Sequence, residues 1–201
     1  MNKPYLVVDL EATCDQHHGI PRQETEIIEI GAVLVDRETL EPQGEFQTFV
    51  RPVIHPQITE FCTELTSITQ DNVDGAPRFA QAMAELSQWL PRPVTMASWG
   101  AYDHNQFRTE ARRRRVTLPW GNDHFNIKEA FAKRFGRRMG VSGALRRVGL
   151  TFDGRAHRGI DDARNIVRLL PHALGVAQAP SRGDAHTDTR GRSRRRRERR
   201  Y

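Results

Sequence analysis

The sequence predicts an α/β fold, a mixed central sheet that opens with a three-strand antiparallel meander and is flanked by helices. Two observations carry this. Three short runs rich in Val, Ile and Leu follow one another early in the chain, separated by turn-forming residues. The apolar period then lengthens from two to between three and four, interrupted by brief strand-like stretches, as expected of helices packed on a sheet.

Tyr5 to Glu11 is the first strand, Glu26 to Asp36 the second and Glu45 to Arg51 the third. Phe79, Met83, Leu86 and Leu90 then recur at helical spacing behind Pro77, a residue suited to a first helical turn. Val94 to Trp99 reads as a short strand and Tyr102 to Arg114 as a helix. Phe125 to Ile127 reads as another short strand, followed by helices near Lys128 to Phe135 and Ser142 to Val148. The last helix is expected to open at Asp161 and to break or kink at Pro171.

The 201 residues suffice for one domain with a core, plus an appendage. A hydrophobic share of 37%, a charged share of 28% and a mean hydropathy of -0.66 describe a polar, globular chain. No apolar run approaches the roughly 18 residues of a membrane helix. Met1 to Pro4 leads into the first strand without a signal-peptide layout. Cys14 and Cys62 form no CxxC pair, so packed, reduced thiols in a cytoplasmic protein are expected rather than a zinc site or disulfide.

The net charge of +6 is confined to one end. Nine of the 31 Lys and Arg and three of the 25 Asp and Glu lie from Ser181 onward, leaving a body with 22 of each. That segment has almost no large apolar side chain to offset chain entropy. The division expected is a folded domain over 1–180 and a disordered, Arg-rich tail over 181–201, suited to tethering nucleic acid through salt-sensitive phosphate contacts.

Asp9 and Glu11 end the first strand two residues apart, hence on one face, about 6.6 Å between Cα atoms. Such a pair suits a hard divalent cation, although Glu24 and Glu26 share the spacing without suggesting a role. Asp103 lies just after the strand that ends near Trp99, where it also suits a helix N-terminus. His157 precedes Asp161 and Asp162 on a loop flanked by Gly154 and Gly159, and both acids also suit the opening of the last helix.

Together, Asp9-Leu10-Glu11-Ala12-Thr13-Cys14, then Asp103, then His157 followed five residues later by Asp162 resemble the DEDDh 3'-5' exonucleases of the RNase H-like superfamily. The likeness is closest to the Eri-type, or 3' histone mRNA, exonucleases. Phe49-Val50-Arg51-Pro52 and the segment Phe61 to Gln70 resemble that subgroup's substrate-side region, with Ser67 where glycine is usual. Phe152 to Ile166 resembles its third motif nearly position by position. The likeness spans Tyr5 to Leu170, and no counterpart of the subgroup's SAP module is expected.

The resemblance implies an RNase H-like fold and a two-metal exoribonuclease using Mg²⁺, with Mn²⁺ as a substitute. Asp9, Glu11, Asp103 and Asp162 would be the metal ligands, His157 the general base, and Glu11 would take part in catalysis. Ala12, Thr13, Phe61, Leu65, Trp99 and His157 would contact the terminal nucleotide. The implied substrate is single-stranded RNA or an RNA 3' overhang. DNA stays open, because other DEDDh enzymes act on it, as does an inert RNA-binding module. No membrane partner is expected, and the oligomeric state is left open.

Overall fold

The structure, a computed structural model, describes residues 3–17, 19–91 and 93–177; the expected tail at 181–201 and the domain limit at 180 lie outside the described residues. Strands β1 (Tyr5–Ala12), β2 (Ile27–Val35) and β3 (Pro42–Phe49) form the antiparallel meander, with Asp9 opposite Gly31 and Glu11 opposite Glu29. Strands β4 (Thr95–Ser98) and β5 (His124–Asn126) extend the other side in parallel, giving the order β3-β2-β1-β4-β5. β1 is therefore central.

Alternation along β1 and β2 sends side chains into two cores. Tyr5, Val7, Val33 and Val35 face α5 (Ile127–Phe135), α6 (Val141–Arg147) and α7 (Gly159–Leu174). Leu6, Val8, Leu10, Ile30 and Leu34 face α3 (Phe79–Trp89) and α4 (Tyr102–Arg114). Covering both faces explains why β2 is buried along its whole length. Asp9 and Glu11 share the face of Val7, so the fold turns both toward α7.

Several expectations need correction. The segment from Glu60 holds two short helices, α1 (Glu60–Thr66) and α2 (Gln70–Asp74), which no apolar period reveals. At seven and five residues they are too short to show a period; local caps define them, with the Thr59 hydroxyl accepting from the Cys62 N–H at 3.0 Å. Pro77 lies ahead of α3 rather than in its first turn, and its carbonyl accepts from Arg51 N. Leu90 caps that helix from outside, and Ile127 opens α5 rather than closing β5.

Helix α7 begins two residues before Asp161 and runs through Pro171 to Leu174, ending at Gly175 with φ 84°. Pro171 removes one donor near the end of the helix, where buried Leu169, Leu170 and Ala173 still hold the last turn on the core. Asp161 lies inside this helix and does not cap it; the cap position belongs to Arg158.

Candidate active site

The C-terminal half of β1 presents Asp9 and Glu11, the first turn of α4 presents Asp103, and the first turn of α7 presents Asp162. Ligand oxygens of Asp9, Glu11 and Asp162 all lie within 4.8 Å of one another. Asp103 is fixed beside them, because its Oδ1 accepts the Leu10 N–H at 3.2 Å, and Ser98 pulls its carboxyl toward the ionised form. Ser98 Oγ in turn lies 3.0 Å from His124 Nε2. All four acids and His157 line one cleft of about 380 Å³.

The loop carrying His157 is held rather than loose. The Asp162 carboxylate accepts from His157 N at 2.8 Å, Asp161 from Arg155 N at 3.0 Å, and the Asn165 side chain from Asp153 N at 3.1 Å. Gly154 has φ 85°, and a Cβ there would lie 2.7 Å from the Asp161 carboxyl carbon. Gly159 sits inside α7, where a Cβ would lie 2.9 Å from the Asp9 carbonyl oxygen. Both glycines permit close approach.

Burial pushes every acid of the cluster toward its protonated form. Asp9 is raised first by burial and then by Asp103, Asp162 and Glu11. Glu11 is pushed up to about 8 by burial, then by Asp162 and Glu29. Asp103 is raised to about 6 by burial, against the opposing pull of its backbone bonds and Ser98. Asp162 is raised by burial, opposed by the bond from His157. Among the described residues no basic side chain forms an ion pair with these four carboxylates. Buried acids without counter-charge are costly. The all-oxygen donor set fits hard divalent cations, and the site is capable of binding them.

A fifth buried carboxylate is accounted for differently. Glu29, fully buried opposite Glu11, accepts from Arg158 Nε at 3.1 Å, Gly159 N at 3.1 Å and Gln47 Nε2 at 2.6 Å. It ties β2 to the start of α7. Glu26, without an assigned role in the sequence, accepts from the N–H groups of Val53, Ile54 and His55 and pairs with Arg114. An acid within an otherwise apolar strand was the available signal for Glu29.

The substrate-side residues divide. Trp99 lines the cleft, but its Nε1 donates to the Met139 carbonyl at 2.9 Å and its ring meets Phe131 edge-on, so it also belongs to the core. Ala12 and Thr13 are buried and line a neighbouring depression, and the Thr13 hydroxyl is engaged by Glu26 N. Phe61 and Leu65 stand one turn apart on α1 and do not line the acid cleft. α1 is fastened near β1 by Thr59 Oγ1 donating to the Cys14 carbonyl at 2.7 Å and by the Cys62 thiol donating to the Ala12 carbonyl at 3.7 Å; both cysteines are free. Sequence reasoning missed Tyr102. It is 44% exposed and lines the cleft, and its place immediately before Asp103 at a helix start was the available signal.

The family model for the exonuclease RNase_T matches residues 6–170. The mouse protein 3'-5' exoribonuclease 1 is 32% identical over 181 residues, covering 84% of this chain and 52% of that protein. Human ERI1 exoribonuclease 3 is 32% identical over 183 residues, covering 83% and 52%. The chain thus spans about half the length of the curated relatives it matches. The crystal structure of the nuclease domain of 3'hExo, a DEDDh family member bound to rAMP, superposes with a TM-score of 0.79 at 30% identity, over 87% of this chain and 93% of that one.

Proposed function

The chain belongs to the RNase_T exonuclease family, in its DEDDh branch, and from this membership we propose that it releases nucleoside 5'-monophosphates from the 3' end of single-stranded RNA or an RNA overhang. The observation that carries the reading is the convergence of Asp9, Glu11 and Asp162 oxygens within 4.8 Å, beside Asp103 and in one cleft with His157. The likeness to exoribonucleases supports RNA over DNA.

Two divalent cations, Mg²⁺ or its substitute Mn²⁺, would be held by Asp9, Glu11, Asp103 and Asp162 and would supply water activation and charge neutralisation at the departing oxygen. His157 takes the proton of the attacking water on an imidazole nitrogen. The water oxygen bonds to phosphorus in line as the bond to the 3' oxygen breaks. Glu11 and Asp9 face that phosphate from β1. Ala12 and Thr13 place backbone near the terminal ribose, while Trp99, Phe61 and Leu65 contact base and sugar.

The test is incubation of 3'-labelled single-stranded RNA and DNA with Mg²⁺ or EDTA. Mononucleotide release from RNA, abolished by EDTA, is expected, with Asp103→Asn and His157→Ala each lowering kcat by about 10²-fold or more. Unchanged degradation by both variants would overturn the site assignment, and a preference for DNA would overturn the substrate. We also propose that residues 1–180 form the nuclease domain and that 181–201 tether RNA. Deleting Ser181 to Tyr201 should weaken RNA binding and flatten its salt dependence with little change in the chemical step.

A further inference from the structure

The cleft does not end at the acids. Tyr102 forms part of its wall and also part of a second depression of about 220 Å³, lined by Arg22, Asn105 and Thr109. Asn105 and Thr109 are in turn shared with a third depression of about 530 Å³, which adds Arg108 and Arg112. Shared walls join the three into one groove running along α4 away from the catalytic end of β1.

The sequence of α4 builds this groove. Tyr102, Asn105, Arg108 and Arg112 follow at steps of three and four, with Thr109 four beyond Asn105, and all five are exposed, so they form one stripe down the helix. The opposite face of the helix, with Phe107 and Ala111, is buried. From Tyr102 to Arg112 the stripe covers about 15 Å, the reach of a few nucleotides.

The arginines of α4 are not equivalent. Arg113 donates to the Gln23 carbonyl and Arg114 pairs with Glu26, so both fasten the helix to the chain entering β2. Arg108 and Arg112 make no ion pair among the described residues. Arg22, also exposed, stands near enough to Tyr102 to act on its hydroxyl electrostatically. No acidic side chain lines the second or third depression. Fixed positive charge and the Asn105 amide along a groove, without acids, suit a phosphodiester backbone.

We propose that this groove binds the part of the RNA strand lying 5' of the nucleotide being removed, with Arg22, Arg108 and Arg112 contacting successive phosphates. The proposal rests on the nuclease reading and adds to it the direction in which the strand leaves the site. It also assigns the Asn105 side-chain amide as a backbone contact between the arginines; the Thr109 hydroxyl is spent on the Asn105 carbonyl.

The test compares the wild-type protein with R108Q/R112Q on three- and ten-nucleotide single-stranded RNAs, by fluorescence polarisation in EDTA and by initial rates in Mg²⁺. The wild type is expected to bind and degrade the longer RNA better. In the variant, affinity for the ten-nucleotide RNA should fall about tenfold, and the slope of log K against log salt should shrink by about 1.4 for two lost phosphate contacts. Wild-type length and salt dependence retained in the variant would overturn the groove, as would an equal loss on both RNAs or no length dependence in the wild type. Absence of hydrolysis by the wild type, with length-dependent binding lost in the variant, would instead remove the nuclease reading and leave the groove standing.

Discussion

A Cβ placed on Gly31 would lie 2.1 Å from the carbonyl carbon of Gly159, so β2 and the first turn of α7 meet backbone against backbone. This contact sets how closely Asp162 approaches Asp9 and Glu11, since Gly31 is paired with Asp9 across the sheet and Asp162 lies three residues beyond Gly159.

Gly31→Ala should therefore destabilise the protein by about 3 kcal/mol or more, since rigid backbone on both sides leaves no soft neighbour to yield. Gly159→Ala should cost less, with contacts of 2.9 and 3.1 Å, but should lower kcat by lifting Asp162 away from β1. Urea denaturation and steady-state rates check both; wild-type stability in Gly31→Ala would refute the contact.

Ser67 ends α1 in the left-handed region, φ 63°, where a Cβ is unfavourable. Ser67→Gly should stabilise the protein by up to about 1 kcal/mol, a rise of about 2–4 °C in Tm. Differential scanning calorimetry gives the answer, and a lower Tm would contradict it.

The buried acids make metal and pH interdependent. Glu11 titrates near 8 in the cation-free cluster and Asp103 near 6, both above their ordinary range. A carboxyl raised on folding adds stability below its unfolded pKa, and that stability is lost as pH rises through the folded value. The cation-free protein should thus weaken between about pH 4 and 8. Divalent cations bind the ionised acids, so the rise in Tm on adding Mg²⁺ should be larger at pH 8 than at pH 6, by about 5 °C. Thermal melts at both pH values with Mg²⁺ or EDTA measure this, and an equal rise would refute it.

Glu29 holds Arg158 and Gly159, the two residues that follow His157. Glu29→Ala leaves the Arg158 charge and the Gly159 N–H without their acceptor and should cost about 3 kcal/mol. It should also lower kcat more than it raises KM, because the loop that presents His157 loses its anchor. A variant with wild-type kcat and reduced stability alone would show that Glu29 supports the fold without positioning the histidine.

Much of this was legible in the order of residues. Strand runs and helical periods gave the meander, β4, α4 and α5 to within a few residues, because burial of one face leaves a period in the sequence. The period could not show α1 and α2, which local caps define, or the passage of α7 through Pro171, which buried Leu169 and Leu170 secure.

Asp9 and Glu11 were placed on one face by strand geometry alone, and the family likeness added Asp103, His157 and Asp162. Their convergence to within 4.8 Å for Asp9, Glu11 and Asp162 was decided by the tertiary structure, through the close approach of Gly31 to Gly159 and the bond from Leu10 N to Asp103. The division of five neighbouring acids into four without ion pairs among the described residues and one neutralised by Arg158 was likewise invisible in the sequence. A carboxylate's partners are set by which chain segments pack beside it, and those segments lie far apart along the chain.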